Sequence, residues 1–176
     1  ADTKPSTPPV ICIGNLTAGG GGKTPSAISL HQLLGRDDVH FLSRGHGGRT
    51  VGPAMVDTAQ HRARDVGDEP LLLAQQAPCW VSRDRAAGLR AASAAGAKLV
   101  IMDDGLQNPS VTPSLRLLAV KGDAGFGNGQ LVPAGPLREP LAHGLNRVDA
   151  ILCIGELTHP SLKNCGFDKP IFRGQY

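Results

Sequence analysis

The run "VICIGNLTAGGGGKTP", residues 10–25, decides the fold. Its first five residues, "VICIG", are apolar without alternation, as a strand covered on both faces of a parallel sheet must be. Four consecutive glycines follow, then Lys23 and Thr24. Glycine is used where main-chain amides must approach a ligand closely or where φ turns positive. A strand, a glycine-rich turn and then Gly22-Lys23-Thr24 opening a helix make a cradle for polyphosphate. Loop N–H groups and the positive helix end face the anion, Lys23 reaches the outer phosphates, and the Thr24 hydroxyl is available to Mg²⁺. The candidate nucleotide-binding residues are therefore Thr17, Ala18, Gly19, Gly20, Gly21, Gly22, Lys23 and Thr24. Pro25 falls in the first helical turn, where a missing N–H costs nothing. The pattern G-x-x-x-x-G-K-[ST] is met except at its first position, where Thr17 stands instead of glycine. The competing reading of the loop is a flexible surface turn.

Outward from this stretch, short β-rich runs alternate with helix-like segments. "VHFLS", "AMVDT", "CWVS", "KLVIMDD", "LRLLAV", "AILCIG" and "PIFRG" read as strands, and residues 24–34, 68–77, 84–96 and 136–146 as helices. This alternation predicts an α/β fold: a doubly wound, mostly parallel sheet of P-loop NTPase type with right-handed crossovers. Ligands bind such sheets beyond the carboxyl ends of the strands, where the motifs of this chain fall.

A length of 176 residues suits one domain. The net charge of +3 is spread along the chain and aromatic residues make up only 3%, which excludes a nucleic-acid footprint of clustered cations and stacking rings. Cys12, Cys79, Cys153 and Cys165 lack metal or disulfide spacing, and three of them lie inside apolar runs, as buried reduced thiols do. No apolar run approaches the ~20 residues of a membrane span, and no signal-peptide pattern is present. The polar stretch "ADTKPSTPP" is read as a leader over residues 1–9, consistent with an N-terminal anchor having been cut away, and residues 10–176 as the nucleotide-binding domain.

Four further stretches carry chemistry. "KLVIMDDG" delivers Asp103 and Asp104 to a strand end, where a carboxylate can hold Mg²⁺ or its water opposite the phosphate loop. Neighbouring strand residues point to opposite faces, so only one aims at the loop unless the strand ends between them. "DVGDEPLLLAQQA" places Asp68 and Glu69 at a helix start; either Asp68 caps the helix, or one of the two is a general base for a hydroxyl attacking the γ-phosphate. "SRGHGG" is a basic loop whose Arg44 and His46 either meet phosphate or decorate a turn. "GFGNGQLVPAGPLREPL" is dense in glycine and proline and brings Arg138 and Glu139 to the start of the last helix. Arg138 has the planar fork that suits a phosphoryl group, and the alternative is a surface Arg–Glu pair of small energetic value.

In order and spacing, "GNLTAGGGGKTP", "SRGHGG", "DVGDEPLLLA", "DDGLQN", "GFGNGQLVPAGPLREPL" and "VDAIL" resemble the tetraacyldisaccharide 4'-kinases, the lipid A kinases of Gram-negative bacteria. The resemblance runs from Val10 to at least Ile154, and Thr17 in the phosphate loop is itself a trait of that family. It implies ATP-dependent phosphorylation of the 4'-hydroxyl of a tetraacylated glucosamine disaccharide 1-phosphate by a protein in peripheral contact with the cytoplasmic face of the inner membrane. By motif, Lys23 and Thr24 would bind ATP phosphates and Mg²⁺; Asp68 would be the base, with Glu69 in its network; and Asp103 and Asp104 would serve Mg²⁺, with Gln107 close by. Arg85, Arg138 and Glu139 would line the transfer centre. Asn108 and His46 depart from the usual His and Tyr.

Family members are also longer, with an apolar N-terminal helix and a second, smaller lobe that supplies the histidine partner of the base. The isolated chain is therefore expected to bind nucleotide weakly and turn over slowly or not at all. Two other classes stay open at this point. One is a nucleotide-switch ATPase, although such loops carry a lysine where this chain has Ala18; the other is a degenerate, non-catalytic nucleotide-binding module.

Overall fold

The computed structural model describes residues 7–175; residues 1–6, most of the expected leader, and Tyr176 lie outside the described residues. The elements run β1 (Val10–Gly14), α1 (Lys23–Leu34), β2 (Val39–Ser43), β3 (Ala54–Met55), α2 (Ala63–Val66), α3 (Asp68–Ala74) and β4 (Cys79–Val81). They continue with α4 (Arg85–Ala94), β5 (Leu99–Asp103), β6 (Leu115–Lys121), α5 (Leu141–Asn146), β7 (Ala150–Ile154), α6 (Pro160–Lys163) and β8 (Ile171–Gly174). The strands form one sheet in the order β3-β4-β2-β5-β1-β6-β7-β8. All neighbours are parallel except the edge pair β3–β4.

Alternation along each buried strand divides the interior into two cores. Cys12, Val100, Met102 and Leu118 face one side with Leu89 and Ala92 of α4 and Leu145 of α5. Ile13, Phe41, Ile101 and Leu117 face the other with Ala27 of α1 and Leu73 of α3. Helices therefore cover both faces, as a doubly wound sheet requires. Strands β2 and β5 are buried along their whole length, as central strands covered on both faces are.

Four details differ from the sequence expectations. Helix α5, expected from 136, begins at Leu141, because residues 136–138 pair instead with the chain entering the glycine loop. Ala18 N donates to Pro136 O at 2.6 Å, Arg138 N donates to Leu16 O at 2.8 Å, and Thr17 bridges Leu137. Arg138 and Glu139 accordingly sit in a loop, not at a helix start. Helix α3 stops at Ala74, ahead of Pro78, and "AMVDT" contributes only two edge residues. The single-turn helices α2 and α6 carry too few residues for a periodic signal.

Candidate active site

The glycine loop is shaped from within. Gly19 (φ 101°) and Gly22 (φ 78°) occupy the left-handed region, and Gly22 is the N-cap of α1. Asn15, directly after β1 and fully buried, donates through Nδ2 to Thr17 O (2.8 Å) and Gly19 O (3.2 Å). Its Oδ1 accepts from Lys23 Nζ at 3.2 Å. Asn15 was not picked out by motif reasoning. Its signal is a polar residue that prolongs a buried apolar run straight into a glycine turn.

Register places the acids beside this loop. Ile13 of β1 pairs with Asp103 of β5, and Asp104 N donates to Ile13 O at 2.8 Å. The strand ends between the two aspartates, and Asp104 takes φ 55°, so both carboxyls line the same cleft. Asp104 Oδ2 lies 3.5 Å from Lys23 Nζ and 3.5 Å from Arg138 Nη1. Asp103 is buried, with Oδ1 lacking a partner. Burial, followed by the nearby negative charge of Glu69, pushes its carboxyl up to about 7. Arg85, at the start of α4, is also buried; Nη1 donates to Ser82 O at 2.7 Å while Nε has no partner. Burial, then the neighbouring Arg44, pulls its pKa down.

The "SRGHGG" loop does more than turn. A Cβ on Gly48 would lie 2.6 Å from the Val66 carbonyl carbon, and one on Gly67 would lie 2.5 Å from His46 O. Arg49 N and Thr50 N also bond to Arg64 O and Asp65 O, at 3.1 and 2.8 Å. This close seating presses the loop onto the α2–α3 junction. Glu69, Arg44 and His46 line the cleft. Asp68, the first residue of α3, is exposed and outside that lining. It does not cap the helix, because Gly67 is the N-cap and no side chain caps it.

Glu139 is also outside the lining and is not paired with Arg138. It pairs with Arg147, accepts from Gln107 Nε2 at 3.1 Å and contacts His143 Nδ1 at 3.1 Å. Arg147 Nη1 in turn donates to Leu106 O at 3.0 Å, and Gln107 Nε2 also donates to Asn15 O at 3.2 Å. Glu139 thus ties the segment after the aspartates to α5 and to the root of the phosphate loop. Thr17 and Ala18 hold the loop's edge through residues 136–138 and lie outside the cleft, while Gly19–Thr24 line it. Lys121, at the carboxyl end of β6, is a cleft residue that the sequence reading passed over. The cleft measures about 840 Å³, ample for a nucleotide.

A strand–glycine loop–helix cradle with a lysine, opposed by aspartates from the adjacent parallel strand, defines a P-loop nucleotide-binding domain. The family model described as Tetraacyldisaccharide-1-P 4'-kinase (LpxK) matches residues 2–173, so the chain belongs to that family. It is 57% identical over 169 residues to a tetraacyldisaccharide 4'-kinase of Rhodospirillum centenum, covering 95% of this chain and 50% of that protein. With the corresponding kinase of Rhodospirillum rubrum it shares 58% identity over 149 residues, covering 84% and 45%. A crystal structure of LpxK from Aquifex aeolicus in complex with ATP superposes with a TM-score of 0.78 at 32% identity, covering 94% of this chain and 53% of that one. Signal recognition particle 54 kDa protein of Aeropyrum pernix, at TM-score 0.57 and 16% identity, shares the fold alone. The chain spans about half the length of the curated relatives it matches.

Proposed function

We propose that this chain is the nucleotide-binding lobe of an ATP-dependent kinase that phosphorylates the 4'-hydroxyl of a tetraacylated glucosamine disaccharide 1-phosphate. One observation carries the proposal: Lys23 and Asp104 face each other at 3.5 Å across the mouth of the cleft, with Asp103 buried behind them. That is the arrangement needed to clamp a triphosphate and its metal.

The residues suit Mg²⁺. Among the described residues no group of three or more His, Cys, Asp or Glu side chains stands ready for a metal. Mg²⁺, however, is commonly held by one or two carboxylates together with the phosphates it serves. The unpartnered Oδ1 of Asp103 is the kind of atom such an ion satisfies. Thr24, Asp103 and Asp104 would hold it, and it would neutralise charge on the β- and γ-phosphates.

The chain's own residues do the rest. Gly19–Gly22 wrap the phosphates, Lys23 leaves Asn15 and Asp104 for the outer ones, and Arg85 and Arg138 balance charge as it shifts toward the leaving oxygen. Asp68, with Glu69 in its network, takes the proton as the sugar oxygen bonds to the γ-phosphorus and the β–γ bridging bond breaks, releasing ADP. Glu139 holds this machinery in register. Residues 10–176 form the kinase lobe behind a leader over residues 1–9. No helix among the described residues is long and apolar enough to cross a membrane. The proposed contact with the lipid is peripheral, at the cytoplasmic face of the inner membrane.

The test is phosphate transfer from ATP to the disaccharide lipid by a full-length kinase carrying this chain, run beside ATP hydrolysis without acceptor. Acceptor-dependent transfer that Asp68→Asn reduces at least a hundredfold is expected. Hydrolysis indifferent to acceptor would make the protein a nucleotide switch instead.

A further inference from the structure

We infer that Asn15 is a positioning residue of the phosphate loop: its carboxamide sets the loop's shape and parks Lys23, and so governs how strongly the chain discriminates by phosphate number. This rests on the reading of the loop as a nucleotide site.

Every polar atom of this side chain is used. Both carbonyls it bonds, Thr17 O and Gly19 O, belong to the loop, and its oxygen takes Lys23 Nζ. Its main-chain carbonyl accepts Gln107 Nε2, so the segment carrying Asp103 and Asp104 is anchored to the same residue. No other side chain of this size does the same work: Asp lacks the donors, Leu lacks both donor and acceptor, and Gln is a methylene longer. The neutrality of the amide matters as well. A carboxylate at this position would hold Lys23 against an incoming triphosphate, whereas an amide oxygen releases it to the stronger charge-assisted bond.

Gly21 supports the same conclusion from the opposite side. Its φ lies outside the left-handed region, so its backbone does not demand glycine. A Cβ there would nonetheless fall 2.7 Å from Asn15 Nδ2 and 2.9 Å from Asn15 Cβ. Glycine at 21 leaves room for the asparagine, and the two residues form one unit.

Two measurements on a full-length kinase carrying this chain test this. Affinities for AMP, ADP and ATP with Mg²⁺ are compared by calorimetry across wild type, Asn15→Leu, Asn15→Asp and Gly21→Ala. In the wild type, affinity climbs from AMP to ATP. In each variant ATP weakens by roughly tenfold to a hundredfold while AMP changes little, flattening the series. A loss by one common factor across the three nucleotides, which general destabilisation produces, overturns the inference, as does an unchanged series. A wild-type chain whose affinity does not depend on phosphate number overturns the nucleotide reading itself. The second measurement needs no variant and no nucleotide: the Asn15 side-chain amide protons exchange slowly with solvent in the free chain if the bonds to Thr17 and Gly19 stand. Rapid exchange contradicts the inference even where the loop binds ATP.

Discussion

The two walls of the cleft are built by different means. On one side, the inner bonds of residues 15–24 are local, joining Asn15 to Thr17, Gly19 and Lys23 within nine positions, and only the edge at Leu16–Ala18 rests on residues 136–138. On the other side, the segment bearing Asp104, Gln107 and Arg138 owes its form to distant partners. Arg138 meets Asp104 across 34 positions, Glu139 meets Gln107 across 32, and Arg147 meets Leu106 across 41. A wall whose inner bonds are local is legible as a motif. A wall tied by long-range polar bonds exists only once the sheet is assembled, and a single change of partner can shift it.

Substitutions break or sharpen this contrast in different ways. Lys23→Ala strikes the local wall and removes the charge that meets the phosphates. Transfer by the full-length kinase should fall by at least about a hundredfold, with thermal unfolding of the chain little changed. Asp103→Asn removes a carboxyl whose folded pKa of about 7 lies well above the ordinary ~4. The folded chain binds a proton there that the unfolded chain does not. The stabilisation is therefore fully present below about pH 4 and is lost as the pH rises through 7. Urea unfolding of the metal-free wild type should weaken from pH 5 to pH 8 by roughly 2–4 kcal/mol more than that of the variant.

The assembled wall answers to Arg147→Met, which strands Glu139 in its half-buried position. Stability should drop by about 1–3 kcal/mol in denaturant titration, and exchange protection should fall in residues 105–109 before the glycine loop is affected. Smallest is Asp84→Ala, which removes the cap bond to Ala87 N (3.0 Å) at the start of the helix that carries Arg85. The expected loss is about 1 kcal/mol, measured as a lowered midpoint for thermal unfolding.

The same contrast explains what could be read from the chain beforehand. The strands were legible because burial on both faces leaves apolar runs such as "LVIM" of β5, and the phosphate loop because its glycines, Lys23 and Thr24 are contiguous in sequence. Both aspartates reaching the cleft depended on whether β5 ended between them, which the positive φ of Asp104 decides. Asn15 was passed over because glycine-loop reasoning looks to backbone amides, not to the side chain beneath them. The start of α5 and the partner of Glu139 were not legible, since they depend on residues 136–138 pairing with Leu16–Ala18 and on Arg147 folding back. Local sequence contains neither fact.

Calorimetric titration of ATP into a full-length kinase carrying this chain, with and without Mg²⁺, in wild type and in the Asp103→Asn/Asp104→Asn double variant, tests most directly whether the two walls form one phosphate–metal site. Wild-type affinity should rise at least tenfold with Mg²⁺, and this gain should vanish in the double variant. An equal gain in both proteins, or none in the wild type, would mean that the glycine loop and the aspartates do not act on the same ligand.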